Sequence, residues 1–235
     1  MCIGSLVLEG VIQRLGRIPD WARGEAYEIA ISSSNISKWF DVVGLVADGG
    51  YDLSMQTTEA IDKLGKLIHD VPDFPKPGVV YKDFTPLLAD PSALALAVEL
   101  MANPYRGKGI DLVVGAESRG FIFGIAIAQA LSAGFAPVRK PGKLPRAVHG
   151  VDYDLEYGSD RLELHEDAIH GGQRVLMVDD LLATGGTMQA SCQLVQKCGA
   201  QIAGITVLIE LDFLNGRDLL GGFGEVHSVL RYGGE

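Results

Sequence analysis

Two adjacent carboxylates, Asp179 and Asp180, close an apolar run at residues 175–178, and a small-residue loop, Ala183-Thr184-Gly185-Gly186-Thr187, follows after a short turn. A helical pattern then runs from residue 188 to 198, with Gly199 as its stop signal. Strand, acids, loop and helix in that order make a phosphate cradle. N–H groups at a helix N-terminus lack intrahelical partners and carry partial positive charge, so they bind an anion. Glycines let the backbone approach closely, and the threonine hydroxyls add donors. A carboxylate can accept from both hydroxyls of a vicinal diol. A phosphate site beside a diol site describes a ribose 5-phosphate pocket. The loop is not a Walker loop, which needs a lysine before its Ser/Thr, and no GxGxxG follows a strand in this chain.

Three further segments carry charge to the same kind of place. Glu117-Ser118-Arg119-Gly120 follows an apolar strand and precedes a helix. Alone, Arg119 reads as a surface arginine at a helix start; beside a cradle, its fork suits an anion. Arg139-Lys140-Pro141-Gly142-Lys143 places three cations after another strand. A solvated charge run is the plain alternative, but in an acidic protein such a concentration fits a polyphosphate. Residues 151–158, acidic and aromatic, suit either a lid that excludes water or an exposed hairpin.

Composition bounds the rest. The chain has 235 residues, 47% hydrophobic and 21% charged, enough for one domain with a full core and room for an appendage. A net charge of −10 disfavours nonspecific nucleic-acid binding. No apolar stretch reaches membrane-spanning length, and the N-terminus lacks the basic start and apolar centre of a signal peptide. Three cysteines, Cys2, Cys192 and Cys198, give no metal-ligand spacing, and the last two point in different directions on one helix. The expectation is a reduced, soluble, cytoplasmic protein.

The elements that must position these residues begin late. Residues 1–54 hold four Lys/Arg against seven Asp/Glu, with breaker clusters at 32–35 and 48–50. They read as a weakly ordered leader or a start codon placed too early, and residues 55–235 as the domain. Thr58 can cap a helix through Ile61, Leu64, Leu67 and Ile68. Three prolines forbid a helix across residues 71–83. Further elements are a helix from Pro91 to about residue 101, a strand at 110–115, a helix at 121–131, a strand at 135–139, a β-ribbon at 155–164 and a final buried strand at 203–208. Alternating strands and helices with continuous apolar strand runs imply an α/β fold, a parallel sheet covered on both faces. Ligands of such sheets sit at the carboxyl ends of the strands, where the two acids lie.

Taken together, these segments resemble the adenine phosphoribosyltransferases of the type I phosphoribosyltransferase family. The resemblance spans residues 59–232 and rests on residues 74–83, 117–121, 139–145, 153–158 and the cradle. It implies that the Pro-rich segment, about 71–84, forms a small hood over adenine. Backbone groups of Val80 and Lys82 would read the base edge, and Leu211 would pack on its face. Asp179 and Asp180 would bind the ribose hydroxyls of 5-phosphoribosyl-1-diphosphate (PRPP), and Ala183, Thr184, Gly185, Gly186 and Thr187 its 5-phosphate. Ser118 and Arg119 would hold diphosphate over a cis Glu117–Ser118 peptide, supported by Lys140 and Lys143. Arg139 would reach a neighbouring subunit of a homodimer. Glu156, on a mobile loop with Tyr157, would transfer the proton. The implied reaction converts adenine and PRPP to AMP and diphosphate, with Mg²⁺ held through substrate oxygens and water and no protein metal cluster. A PRPP- or nucleotide-binding regulator without turnover, and an enzyme for another purine, are the competing readings. The leader's acidic balance and lack of a basic helix argue against the regulator.

Overall fold

The computed structural model describes residues 53–155 and 158–234. The leader at 1–52, together with Glu156 and Tyr157, lies outside the described residues. Helix α1 (Leu53–Gly65) begins at Leu53, ahead of the expected boundary at residue 55 and of Thr58. Thr58 is therefore an interior helix residue and not a cap. Nothing in Leu-Ser-Met-Gln-Thr breaks a helix, so the helix already holds at Leu53. The expected stripe is buried at Leu64 and Ile68.

The Pro-rich segment forms an antiparallel hairpin of β1 (His69–Pro72) and β2 (Val80–Asp83), with Pro72 opposite Val80. Gly78, at φ 84°, lets the connection turn back, and its N–H donates to Asp73 Oδ1 at 2.8 Å. A short helix, α2 (Thr85–Ala89), follows. Then comes α3 (Pro91–Ala102), capped by Asp90, whose carboxylate accepts from Ser92 N and Ala93 N at 2.9 Å.

The remaining elements are β3 (Leu112–Ala116), α4 (Gly120–Leu131), β4 (Gly134–Val138), β5 (Val148–Leu155), β6 (Gly158–His165), β7 (Arg174–Leu182), α5 (Gly186–Lys197), β8 (Gln201–Leu211) and β9 (Val226–Tyr232). Five strands form one parallel sheet in the order β4-β3-β7-β8-β9. Both faces are covered. Val113, Leu176, Val178 and Leu208 pack toward α1, α3 and α4, while Val114, Val175, Met177 and Val207 pack toward α5 and the β5–β6 hairpin.

Three expectations change along the strands. The acids do not end their strand, because β7 runs on to Leu182 with Asp179 opposite Val207 and Leu181 opposite Ile209. Nor is β8 the last strand. It extends to Leu211, and β9 pairs with it in parallel. Strand β9, Val-His-Ser-Val-Leu-Arg-Tyr, lies at the sheet edge and mixes polar with apolar residues, which hid it from a search for continuous apolar runs. The ribbon also starts earlier than expected, at Val148.

From β3 the chain crosses to β4 on one side, and from β7 to β8 on the other. The connections diverge between β3 and β7, and a crevice opens at their carboxyl ends. The segments at 117–120 and 179–187 both emerge there.

Candidate active site

One cleft of about 380 Å³ is lined by Glu117, Ser118 and Arg119 after β3, and by β7 and its loop from Asp179 through Met188. The strand–loop–helix order does the positioning. Gly185, at φ 89°, is the N-cap of α5, so the loop turns directly into the helix N-terminus. The cleft thus gathers Ser118, Arg119, Asp179, Asp180, Ala183, Thr184, Gly185, Gly186 and Thr187, all of them expected from the sequence.

Asp180 is 2% exposed. Its Oδ2 lies 3.0 Å from Arg119 Nε, an ion pair, yet accepts no hydrogen bond. A buried carboxylate oxygen held by an ion pair alone has lone-pair capacity for a further donor. Asp179 Oδ1 accepts from the backbone N–H of Asp180 at 3.0 Å. Gly120 leaves room for that carboxylate, since a Cβ there would stand 2.8 Å from Asp179 Oδ1. Burial, and then the neighbouring charge of Asp180, hold the Asp179 carboxyl well above its ordinary range. Burial also raises Asp180, against the pull of Arg119.

Arg119 is half-buried. Its Nη1 donates to the Tyr81 hydroxyl at 2.7 Å, and the guanidinium carbon lies 5.6 Å from the same ring's centre. Tyr81 belongs to β2, so one hydrogen bond joins the hood to the cleft. Phe74 meets Tyr81 edge-on at 5.3 Å. Tyr81 had no role in the sequence reading; a phenol between Val80 and Lys82 of the hood was the available signal.

The Glu117–Ser118 peptide is cis. Glu117 collects the next charged segment. Its Oε2 accepts from Arg139 Nε at 3.0 Å and Lys140 N at 3.1 Å, and its Oε1 pairs with Lys143 Nζ. Burial would raise this carboxyl, but the bonds from Lys143, Lys140 and Arg139 bring it below its ordinary range. The Lys140 ammonium pairs with Asp160 on β6, which also accepts from Tyr153 at 3.3 Å. All three cations are thus neutralised by carboxylates, and none of them lines the cleft.

The residues expected at the base also lie outside the cleft lining. Val80 is 51% exposed on the hood. Lys82 Nζ stands 4.2 Å from the ring centre of Tyr232 and 2.6 Å from Asp70. Tyr232 is the ladder partner of Leu211, which is buried. The hood and the end of β8 therefore share Tyr232 as a common neighbour.

Comparison with known proteins agrees with this geometry. The phosphoribosyl transferase domain family matches residues 85–217. An adenine phosphoribosyltransferase of Methylococcus capsulatus is 57% identical over 172 residues, covering 73% of this chain and all of that protein. Among solved structures, the adenine phosphoribosyltransferase of Rhodothermus marinus is 48% identical with a TM-score of 0.72, covering 74% of this chain and 99% of that one. The enzyme from Saccharomyces cerevisiae, solved with an imino-altritol bisphosphate and adenine, is 37% identical with a TM-score of 0.70, covering 73% and 99%.

Proposed function

The chain belongs to the adenine phosphoribosyltransferase family, and on that footing we propose that it is a purine-salvage glycosyltransferase that moves the 5-phosphoribosyl group of PRPP onto adenine, giving AMP and diphosphate. The observation that carries this reading is the orphaned buried oxygen of Asp180, beside Arg119 and one loop away from the α5 N-terminus. A ribose hydroxyl donates to Asp180 Oδ2, which carries the Arg119 ion pair but no hydrogen bond. The 5-phosphate sits on the N–H groups of residues 183–187.

In the reaction, adenine N9 bonds to the anomeric carbon as the bond to the diphosphate oxygen breaks. The electron pair leaves with diphosphate, and the N9 proton goes to a base. Glu156 is that base by family resemblance, with Tyr157 beside it on the loop. The transition state is oxocarbenium-like, as in glycoside cleavage, so alignment and stabilised leaving charge are the protein's main tasks. Ser118 and Arg119 hold the departing diphosphate, with Lys140 and Lys143 in support once their carboxylate partners release them. The β5–β6 hairpin excludes water. Val80, Lys82 and Leu211 take the base, reached from the cleft through Tyr81.

Among the described residues no group of three His, Cys, Asp or Glu could hold a metal. A Mg²⁺ would be held through substrate oxygens and water, with Asp179 and Asp180 kept for the ribose hydroxyls. When bound, such an ion would neutralise charge developing on the diphosphate. A homodimer suits Ile122 and Ile125, which are 43% and 50% exposed on one helix, and Arg139 would then serve the neighbouring site. No described helix is long and apolar enough to cross a membrane, and a cytoplasmic location is the proposed one.

The test is a base panel with PRPP and Mg²⁺, with nucleotide product measured by chromatography. Adenine gives AMP. Hypoxanthine and guanine present an acceptor where adenine has a donor, and the mismatch lowers efficiency by on the order of 10⁴-fold. Equal efficiency with guanine would move the enzyme to another purine, and no product from any base would leave the regulator.

A further inference from the structure

We propose that Arg217, locked onto Glu210, is a positioning residue for the 5-phosphate loop, because it fixes the turn against which that loop is built. The inference rests on the reading of residues 183–187 as the phosphate cradle.

Gly216 opens the 3-10 turn Gly216–Leu220 between β8 and β9. Its backbone presses on the cradle. A Cβ on Gly216 would stand 2.1 Å from Ala183 O and 3.0 Å from Gly185 N. A Cβ on Gly185 would in turn stand 2.5 Å from Gly216 O. Two glycines thus meet backbone to backbone, and the turn is the floor of the loop. Gln189 of α5 adds a bond to Leu219 O at 3.4 Å.

The next residue, Arg217, anchors that floor. Its Nε and Nη2 donate to Glu210 Oε1 and Oε2 at 2.9 and 2.5 Å, a two-pronged pair. Its Nη1 donates to Val226 O at 2.7 Å, and Nη2 also reaches Ser228 Oγ at 3.2 Å. The Glu210 side chain is 4% exposed and accepts from the Ser228 hydroxyl as well. Burial would raise this carboxyl, but the bonds from Arg217 and Ser228 hold it below its ordinary range. One guanidinium therefore ties the turn to β8 and β9 together. None of these four residues lines the cleft. They act through Gly216 on the N–H groups that face the phosphate. Leu211, on the base side, is held instead by its ladder with Tyr232.

The test compares the full chain with Arg217→Met and Arg217→Lys. Binding of ribose 5-phosphate is measured by calorimetry, Michaelis constants are taken for PRPP and adenine, and melting is followed in parallel. Loss of one hydrogen bond from the loop to a charged phosphate costs about 10- to 100-fold in affinity. The expectation for Arg217→Met is ribose 5-phosphate affinity and PRPP KM worse by about tenfold or more, with adenine KM and kcat at saturation nearly unchanged. Arg217→Lys recovers part of the loss, since an ammonium can still bond Glu210. Unchanged ribose 5-phosphate affinity in Arg217→Met, or a parallel loss of both Michaelis constants, kcat and melting temperature in the two variants alike, would overturn the proposal. Where Arg217→Met does not fold, Gly216→Ala puts a methyl against Ala183 O and is expected to show the same selective loss; normal affinity there would overturn the proposal equally. Failure of the unaltered chain to bind ribose 5-phosphate would instead remove the cradle reading beneath it.

Discussion

Asp180→Asn is expected to weaken donor binding while making the ligand-free protein more stable. The side chain is 2% exposed, and its Oδ2 lies near Arg119 without a hydrogen bond. Folding therefore leaves this oxygen with the Arg119 charge beside it but no hydrogen bond. On the proposed reading, a ribose hydroxyl supplies the hydrogen bond this oxygen lacks. A hydrogen bond to a charged group contributes about 1.5–3 kcal/mol, so its loss lowers ribose 5-phosphate affinity about 10- to 100-fold. The stability effect has the opposite sign. Burial raises the folded-state pKa of both acids. The folded state then holds protons more tightly than the unfolded chain. Stability from this source is complete below the ordinary carboxylate range and is lost as pH rises through the raised values. Asparagine does not suffer that loss. Its advantage is absent in acid and grows toward neutral pH, where relief of about 1 kcal/mol raises the melting temperature by about 2–4 °C. Calorimetry with ribose 5-phosphate and melting curves from acid to neutral pH measure both effects. A lower melting temperature at neutral pH, or undiminished ribose 5-phosphate affinity, would refute the assignment of this oxygen to the diol.

Tyr81→Phe removes only the hydroxyl that receives Arg119 Nη1; PRPP KM is expected to rise several-fold, on the order of one hydrogen bond to a charged group, with little change in melting, and an unchanged KM would show that Arg119 needs no guide from the hood. Glu156→Leu is expected to lower turnover by about 10²–10⁴-fold with PRPP binding preserved in equilibrium titration; full turnover would assign the proton to another group. A chain beginning at Leu53, where α1 starts, is expected to melt and turn over adenine like the full chain, and a large drop in either would make residues 1–52 part of the working structure.

The legible parts of this protein were those where chemistry and local geometry coincide. Asp179, Asp180 and the loop at 183–187 fall in one cleft as expected, because small residues, hydroxyls and acids packed into a short strand–loop–helix stretch stay together in space. The parallel sheet followed from apolar runs such as residues 175–178, which are buried at every position. Contacts between distant segments were harder to see. Glu117 lies 22 residues from Arg139, and their bond depends on β3 and β4 ending side by side. Arg217 reads as an ordinary surface cation until Glu210 is found buried opposite it. Gly216 matters only because Ala183 and Gly185 come against it; the Asn215-Gly216 pair signals a turn, but not what the turn supports. The edge strand β9 and the early start of α1 were lost because neither carries a continuous apolar run.

The most direct measurement is phosphorus NMR of one mixture containing the protein, PRPP, Mg²⁺ and adenine, with a matched sample lacking adenine. The account predicts that AMP and diphosphate appear in equal amounts as PRPP disappears, and that PRPP persists without adenine because the site transfers the sugar to a base and not to water. PRPP breakdown at the same rate in both samples, or no AMP signal while PRPP remains bound, would contradict it.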